Sequence, residues 1–180
     1  MNTKSRARIG GKWLLEVYEN HEAKARGDAP IASQEVHNVV TDEGLDALLN
    51  IMLHAANQIT TWSCVVFEND FTPDGDETYA TPGYTECQAY DEATRPAYVE
   101  AASSSQSVTN SANKAVFTIS GTKTLYGAAL VGGGSAPTTK GDTAGGGTLF
   151  CAARFGTAQP VIDNNVVNLT YTVSAADDAA

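Results

Sequence analysis

Val166-Val167-Asn168-Leu169-Thr170-Tyr171-Thr172-Val173 places Val167, Leu169, Tyr171 and Val173 on one side of an extended chain and the other four residues on the opposite side. Successive side chains of a strand point to opposite faces, so this period of two marks a strand with one face buried. Ala115-Val116-Phe117-Thr118-Ile119-Ser120 repeats the pattern, with Phe117 and Ile119 set against Val116, Thr118 and Ser120. Near the start, Lys12-Trp13-Leu14-Leu15-Glu16-Val17-Tyr18 puts Trp13, Leu15 and Val17 on one face. Further strands are expected over 60–68, which holds Trp62, Cys64, Val65, Val66 and Phe67, and over 97–101, 124–131 and 148–155.

Between these lie the connections. Residues 19–34 contain Gly27, Asp28 and Pro30 and read as a hairpin turn, with a return strand over 35–40. Thr41 is a good N-cap, Asp42 and Glu43 suit a first helical turn, and Leu45, Leu48, Leu49 and Met52 recur at helical spacing. One amphipathic α-helix is therefore expected over 42–55, its stripe packed on a sheet. Gly44 costs that helix up to about 1 kcal/mol relative to Ala, so tertiary contact must support it. From Glu68 to Glu100 the chain carries nine acids and one base, interrupted by Pro73, Gly75, Pro82, Gly83 and Pro96, and reads as a long connection with a short strand near 84–90. Two glycine runs, 132–134 and 145–147, read as one flexible loop; neither precedes a helix that could cradle a phosphate.

Seven or eight short strands and one helix give the expected fold class: mainly β, an antiparallel β-sandwich of jelly-roll or immunoglobulin-like type. Parallel layering would need a crossover helix between each strand pair. The expected organisation is a basic N-terminal arm over 1–11, one sandwich domain over 12–176 and an acidic tail over 177–180. At 180 residues such a domain hides roughly 70% of its extended surface.

Charge is uneven. Residues 1–26 carry a net +3 and the remaining 154 a net −13, giving −10 for the whole chain. A body that acidic repels a phosphate backbone, so no nucleic-acid partner is expected, and the arm is suited to an acidic surface. No stretch reaches the ~18 apolar residues of a membrane helix, and residues 1–8 lack the apolar core of a signal peptide, so a cytosolic origin and no membrane partner are expected. Cys64, Cys87 and Cys151 lie far apart, in no metal-binding spacing, and Cys64 and Cys151 read as buried hydrophobes.

Chemistry is sparse. The acids fall in stretches that look solvent-facing, and His21, His37 and His54 read as a turn residue, an exposed strand residue and a helix C-terminus. No nucleophile elbow is present. The closest approach to a ligand set is residues 68–77, six oxygen-rich side chains around a turn that suit calcium chemically without matching an EF-hand. The alternative is a solvated acidic loop. Asn168-Leu169-Thr170 fits a glycan acceptor but reads as strand. No catalytic residue, cofactor or metal is expected, hence no enzyme; a carbohydrate-directed enzyme would need two carboxylates in one cleft.

Gly11-Lys12-Trp13 to Tyr18, His37-Asn38-Val39-Val40-Thr41-Asp42-Glu43-Gly44-Leu45, Thr61-Trp62, Gly83-Tyr84-Thr85-Glu86 to Tyr90-Asp91-Glu92-Ala93-Thr94-Arg95, Gln106-Ser107-Val108-Thr109-Asn110-Ser111-Ala112 and the 167–173 strand resemble, in order, a family of small virion structural proteins of tailed bacteriophages. The resemblance implies a non-enzymatic virion component, assembled in the host cytoplasm, and no catalytic residue. It fits a body with many exposed strand edges and an arm that orders on contact. The leading expectation is a capsid decoration or cement protein on the head exterior, a symmetric homo-oligomer, with a trimer as the first guess, binding the major capsid protein or other virion subunits. The alternative is a tail or neck (collar or fibre) component that binds a host surface. Expected partner contacts are Arg6, Arg8, Tyr84, Tyr90 and Arg95, while Trp13 and Trp62 are expected to fill the core.

Overall fold

The computed structural model describes residues 7–177. Nine strands and two helices follow one another along these residues: β1 (Ala7–Tyr18), α1 (His21–Arg26), β2 (Ala32–His37), β3 (Val39–Val40), α2 (Asp42–Leu53), β4 (Trp62–Phe67), β5 (Ser107–Thr109), β6 (Ala115–Thr118), β7 (Lys123–Gly132), β8 (Thr148–Val161) and β9 (Val166–Asp177). They form a β-sandwich of two antiparallel sheets. One has the order β2-β1-β9, with β5 and β6 end to end along the other side of β9; the second has the order β3-β8-β7-β4.

The period-two strands supply the core. Trp13, Leu15 and Val17 of β1, Phe117 of β6, and Val167, Leu169 and Tyr171 of β9 are all fully buried and face Cys64 and Val66 of β4, Ala128 of β7 and Cys151 and Phe155 of β8. Trp13 stacks on Tyr171 with centroids 4.5 Å apart. The second sheet is buried on both sides, which explains why β4 is buried from Ser63 to Phe67 and nearly all apolar rather than alternating. Its outer residues Val65, Ala129, Val131, Leu149 and Ala152 pack under Tyr79, Tyr84 and Ala136 of the long connections.

Several boundaries differ from expectation. β1 begins at Ala7, where Ala7 pairs Asp177, so five residues assigned to the arm, and one assigned to the acidic tail, are in register in the first sheet. Residues 1–6 and 178–180, the rest of the arm and tail, lie outside the described residues. The 19–34 turn contains α1, capped at its start by Asn20, whose Oδ1 accepts from Ala23 N at 2.8 Å, and ended by Gly27 at φ 81°. The expected 35–40 strand is split at Asn38. Its backbone N–H donates to the Gly11 carbonyl as the last link to the first sheet, and Val39 and Val40 then pair Ala152 and Cys151 in the second.

The strand edges are covered rather than exposed. Residues 68–101 form no named strand, yet they close one side of the sandwich. Cys64 N donates to Pro96 O, Cys87 N to Val66 O and Glu68 N to Thr85 O along β4, and Asp91 N to Thr118 O along β6. On the opposite side the Gln34 side-chain amide exchanges two hydrogen bonds with the Thr157 backbone, joining β2 to β8.

Candidate interaction surface

α2 begins where Thr41 Oγ1 accepts from Gly44 N at 3.0 Å and donates to Leu149 O. It sits so close to β8 that a Cβ on Gly44 would lie 2.4 Å from the Phe150 carbonyl oxygen. That approach fixes the helix rotation: Gly44, Leu48 and Ile51 turn toward the sheet, and the expected stripe turns out. Of Leu45, Leu48, Leu49 and Met52 only Leu48 packs on the core; Leu45, Leu49 and Met52 are 37%, 52% and 70% exposed, and Leu53 is 79% exposed. Beside the stripe runs an apolar groove in two lobes of about 290 and 220 Å³, sharing Ile59, Trp62 and Phe150 as floor. One lobe is walled by Val108 of β5 and Val173 of β9, which pack against the edge of the core; the other is walled by Ile51 and Met52 of α2. Exposed apolar side chains are ordinary singly, but a contiguous face of them marks a contact surface.

The expected contact residues mostly lie elsewhere. Arg8 is exposed on β1, and Arg6 lies outside the described residues. Tyr84 is half-buried, stacked on Phe67 at 5.0 Å. Tyr90 is buried edge-on against Phe117, with the Lys140 ammonium 3.8 Å from its ring centre. Arg95 is internal as well. Its Nε and Nη2 meet the Glu86 carboxylate, Nη1 donates to Tyr79 OH and the Ala136 carbonyl, and Nη2 also donates to the Asp142 carbonyl, so all five N–H groups are engaged. The expectation for Tyr84 and Tyr90 rests on their acidic, loop-rich segment; Tyr90 and Arg95 are instead buried within that segment, 3% and 4% exposed. A single base among nine acids was the available signal that the segment folds around an internal cation. Trp13 is fully buried, while Trp62 is half-buried at the groove floor.

The Arg95 cluster also borders a polar cleft of about 230 Å³ with Tyr79, Glu86 and Asp142. Here Asp142 accepts from Ser135 Oγ and Tyr79 OH, and these hydrogen bonds hold its carboxyl down to about 2. Burial opposes the charge on Arg95, and the Glu86 contacts outweigh it and raise its pKa. These groups tie the glycine-rich loop to residues 79–95 and are spent on internal bonds. In the 68–77 segment Glu77 accepts from Asp74 N and Gly75 N, and Asp70 pairs Arg154 at 2.6 Å. Among the described residues no three His, Cys, Asp or Glu side chains converge as a metal site, and no helix is long and apolar enough to cross a membrane.

The thiols are sealed in. Cys64 and Cys151 are fully buried; burial raises both, Cys151 to about 12. Acids are buried too, against the solvent-facing expectation: the Glu86 side chain is only 6% exposed, and Glu43 bridges Tyr79 N and Leu149 N. No family model, curated protein or solved structure matches this chain.

Proposed function

We propose that this chain is a structural subunit of a tailed-bacteriophage virion, a decoration or cement protein on the head exterior that works by adhesion to the major capsid protein. The observation that carries the reading is the open apolar end: a turned-out α2 stripe beside a groove floored by Ile59, Trp62 and Phe150. The polar clusters elsewhere are consumed by internal bonds, which leaves contact as the chemistry this surface offers. The ordered resemblance of the quoted stretches to small virion proteins points the same way.

The test adds purified chain to heads made without it. Saturable, stoichiometric binding with a gain in resistance to heat and osmotic shock is the expected result. Binding to whole host cells without binding to heads would replace the reading with a tail or neck role, and binding to neither would remove it.

A further inference from the structure

We infer that Lys24 and Asn168 join covalently in the folded chain, Lys24 Nζ forming an amide bond to Asn168 Cγ as the Asn168 side-chain nitrogen leaves as ammonia. The two residues meet on the outer face of the first sheet. Val167 and Leu169 point into the core, so alternation turns Asn168 outward, with Glu16 of β1 opposite it on one side and Val116 of β6 on the other. An asparagine on an outer face is ordinarily solvated, yet Asn168 is 3% exposed. α1 lies across this part of the sheet: Ala23 is buried, and His21 Nε2 is 2.8 Å from Thr118 Oγ1 on β6. From α1, Lys24 Nζ donates to Asn168 Oδ1 at 2.8 Å. A carbonyl is about 1.2 Å long, so Nζ stands within about 4 Å of Cγ, near the separation of a reacting pair.

Two lysines and one carboxylate share the site. Glu16, its side chain 14% exposed, pairs with Lys114 Nζ at 2.5 Å. Burial first, and the Lys114 charge second, lower the Lys24 pKa below its ordinary value, while Glu16 raises it. This environment suits a nucleophile, because the amine gives up its proton more readily than a solvated lysine and a carboxylate is at hand to take it. Glu16 accepts a proton from Nζ, and the neutral amine adds to Cγ. Glu16 then passes that proton to Nδ2 and takes a second from Nζ, the Cγ–Nδ2 bond breaks, and ammonia leaves with the last proton as ammonium. The step needs no oxidant, reductant or further reactant. Lys24 and Asn168 are 144 positions apart, so the bond closes a loop from α1 to β9. Such a closure restricts the unfolded chain strongly, and tension applied through β1 and β9 passes through it and bypasses the strands between. The inference goes beyond the virion reading and does not rest on it.

Intact-mass spectrometry of the purified full chain, held for days at mildly alkaline pH, is expected to show a species about 17 Da below the sequence mass, one ammonia lost. Trypsin is expected to leave Lys24 uncut and to yield a branched peptide joining residues 13–26 to the peptide that begins at Phe155. Lys24→Arg keeps the charge but removes the nucleophile, and is expected to retain its full mass. Glu16→Gln is expected to slow the loss at least about 100-fold. Lys114→Arg, which keeps the second charge, is expected to lose ammonia as the unaltered chain does. An unaltered chain that keeps its full mass, or a loss that maps to other residues or persists in Lys24→Arg, overturns the inference; loss at an unchanged rate in Glu16→Gln overturns the proton transfer assigned to that carboxylate. The readout is a mass, so it stands or falls separately from binding to heads.

Discussion

At Arg95 five donors are buried and five acceptors meet them, so the cation is compensated only while every partner is present. Its side chain and that of Glu86 are 3% and 6% exposed. Removing one partner of a buried pair leaves an uncompensated charge, which costs about 3–5 kcal/mol. Arg95→Met is therefore expected to lower unfolding free energy in urea by that amount, and Glu86→Gln by somewhat less, since a neutral amide still accepts. A loss under about 1 kcal/mol for Arg95→Met would show that the cluster is dispensable. Asp142, in the same cluster, sets a pH signature. Its folded pKa is depressed to about 2 from an ordinary 3.8, so the stability it contributes is present above pH 3.8 and is lost as pH falls through about 2. Asp142→Asn is expected to flatten the acid limb of a stability–pH curve between pH 4 and 2, measured by thermal melts; an unchanged limb assigns that slope to other carboxylates.

At the scale of elements, Gly44 decides the placement of α2. Helix propensity alone says that Gly44→Ala stabilises by about 1 kcal/mol. A methyl group 2.4 Å from the Phe150 carbonyl says the opposite, because neither backbone can give way without moving the helix. Overpacking of this kind costs about 1–3 kcal/mol, so the substitution is expected to lower the melting temperature despite the better helix former. A rise in melting temperature would mean that the helix can lift from β8. The same glycine explains what the sequence disclosed and what it hid. The cap at Thr41 and the existence of α2 were legible because they depend on local chemistry. Which face packs was not, because leucine periodicity marks two overlapping stripes one residue apart, and only the close approach at Gly44 selects the one through Leu48 and Ile51. β1 and β9 were legible from strict alternation. α1 was overlooked because six residues between Asn20 and Gly27 offer caps but no periodicity, and the exchange of sheets at Asn38 leaves no mark in hydropathy. The exposed face of α2 is hidden from the sequence for the same reason, because leucine spacing alone assigns Leu45, Leu49 and Met52 to the core.

At the scale of the molecule, the segment 68–101 makes the sandwich a closed body, although nothing in it is a named strand. Proline and glycine interrupt it too often for a ladder, so single backbone bonds to β4 and β6 and the Arg95 cluster replace continuous pairing. Two views of its stability diverge from here. A long irregular connection ordinarily opens at low cost. This one carries buried Tyr79, Cys87, Tyr90 and Tyr98, so opening it uncovers both the second sheet's outer face and the flank of the core. The thiols distinguish the two, because Cys87 belongs to the segment whereas Cys64 and Cys151 belong to strands, and all three are fully buried. If the segment is part of the cooperative unit, labelling by a thiol reagent under native conditions should proceed at one rate for the three, set by global unfolding, and should track stability across mild denaturant. Mass spectrometry of partly labelled protein would then show unlabelled and triply labelled chains with little between. Cys87 reacting more than about tenfold faster than the strand cysteines corresponds to an opening at least 1.4 kcal/mol cheaper than unfolding. That result would make the segment a hinged cover rather than a wall, and would separate the closure of the sandwich from its folding.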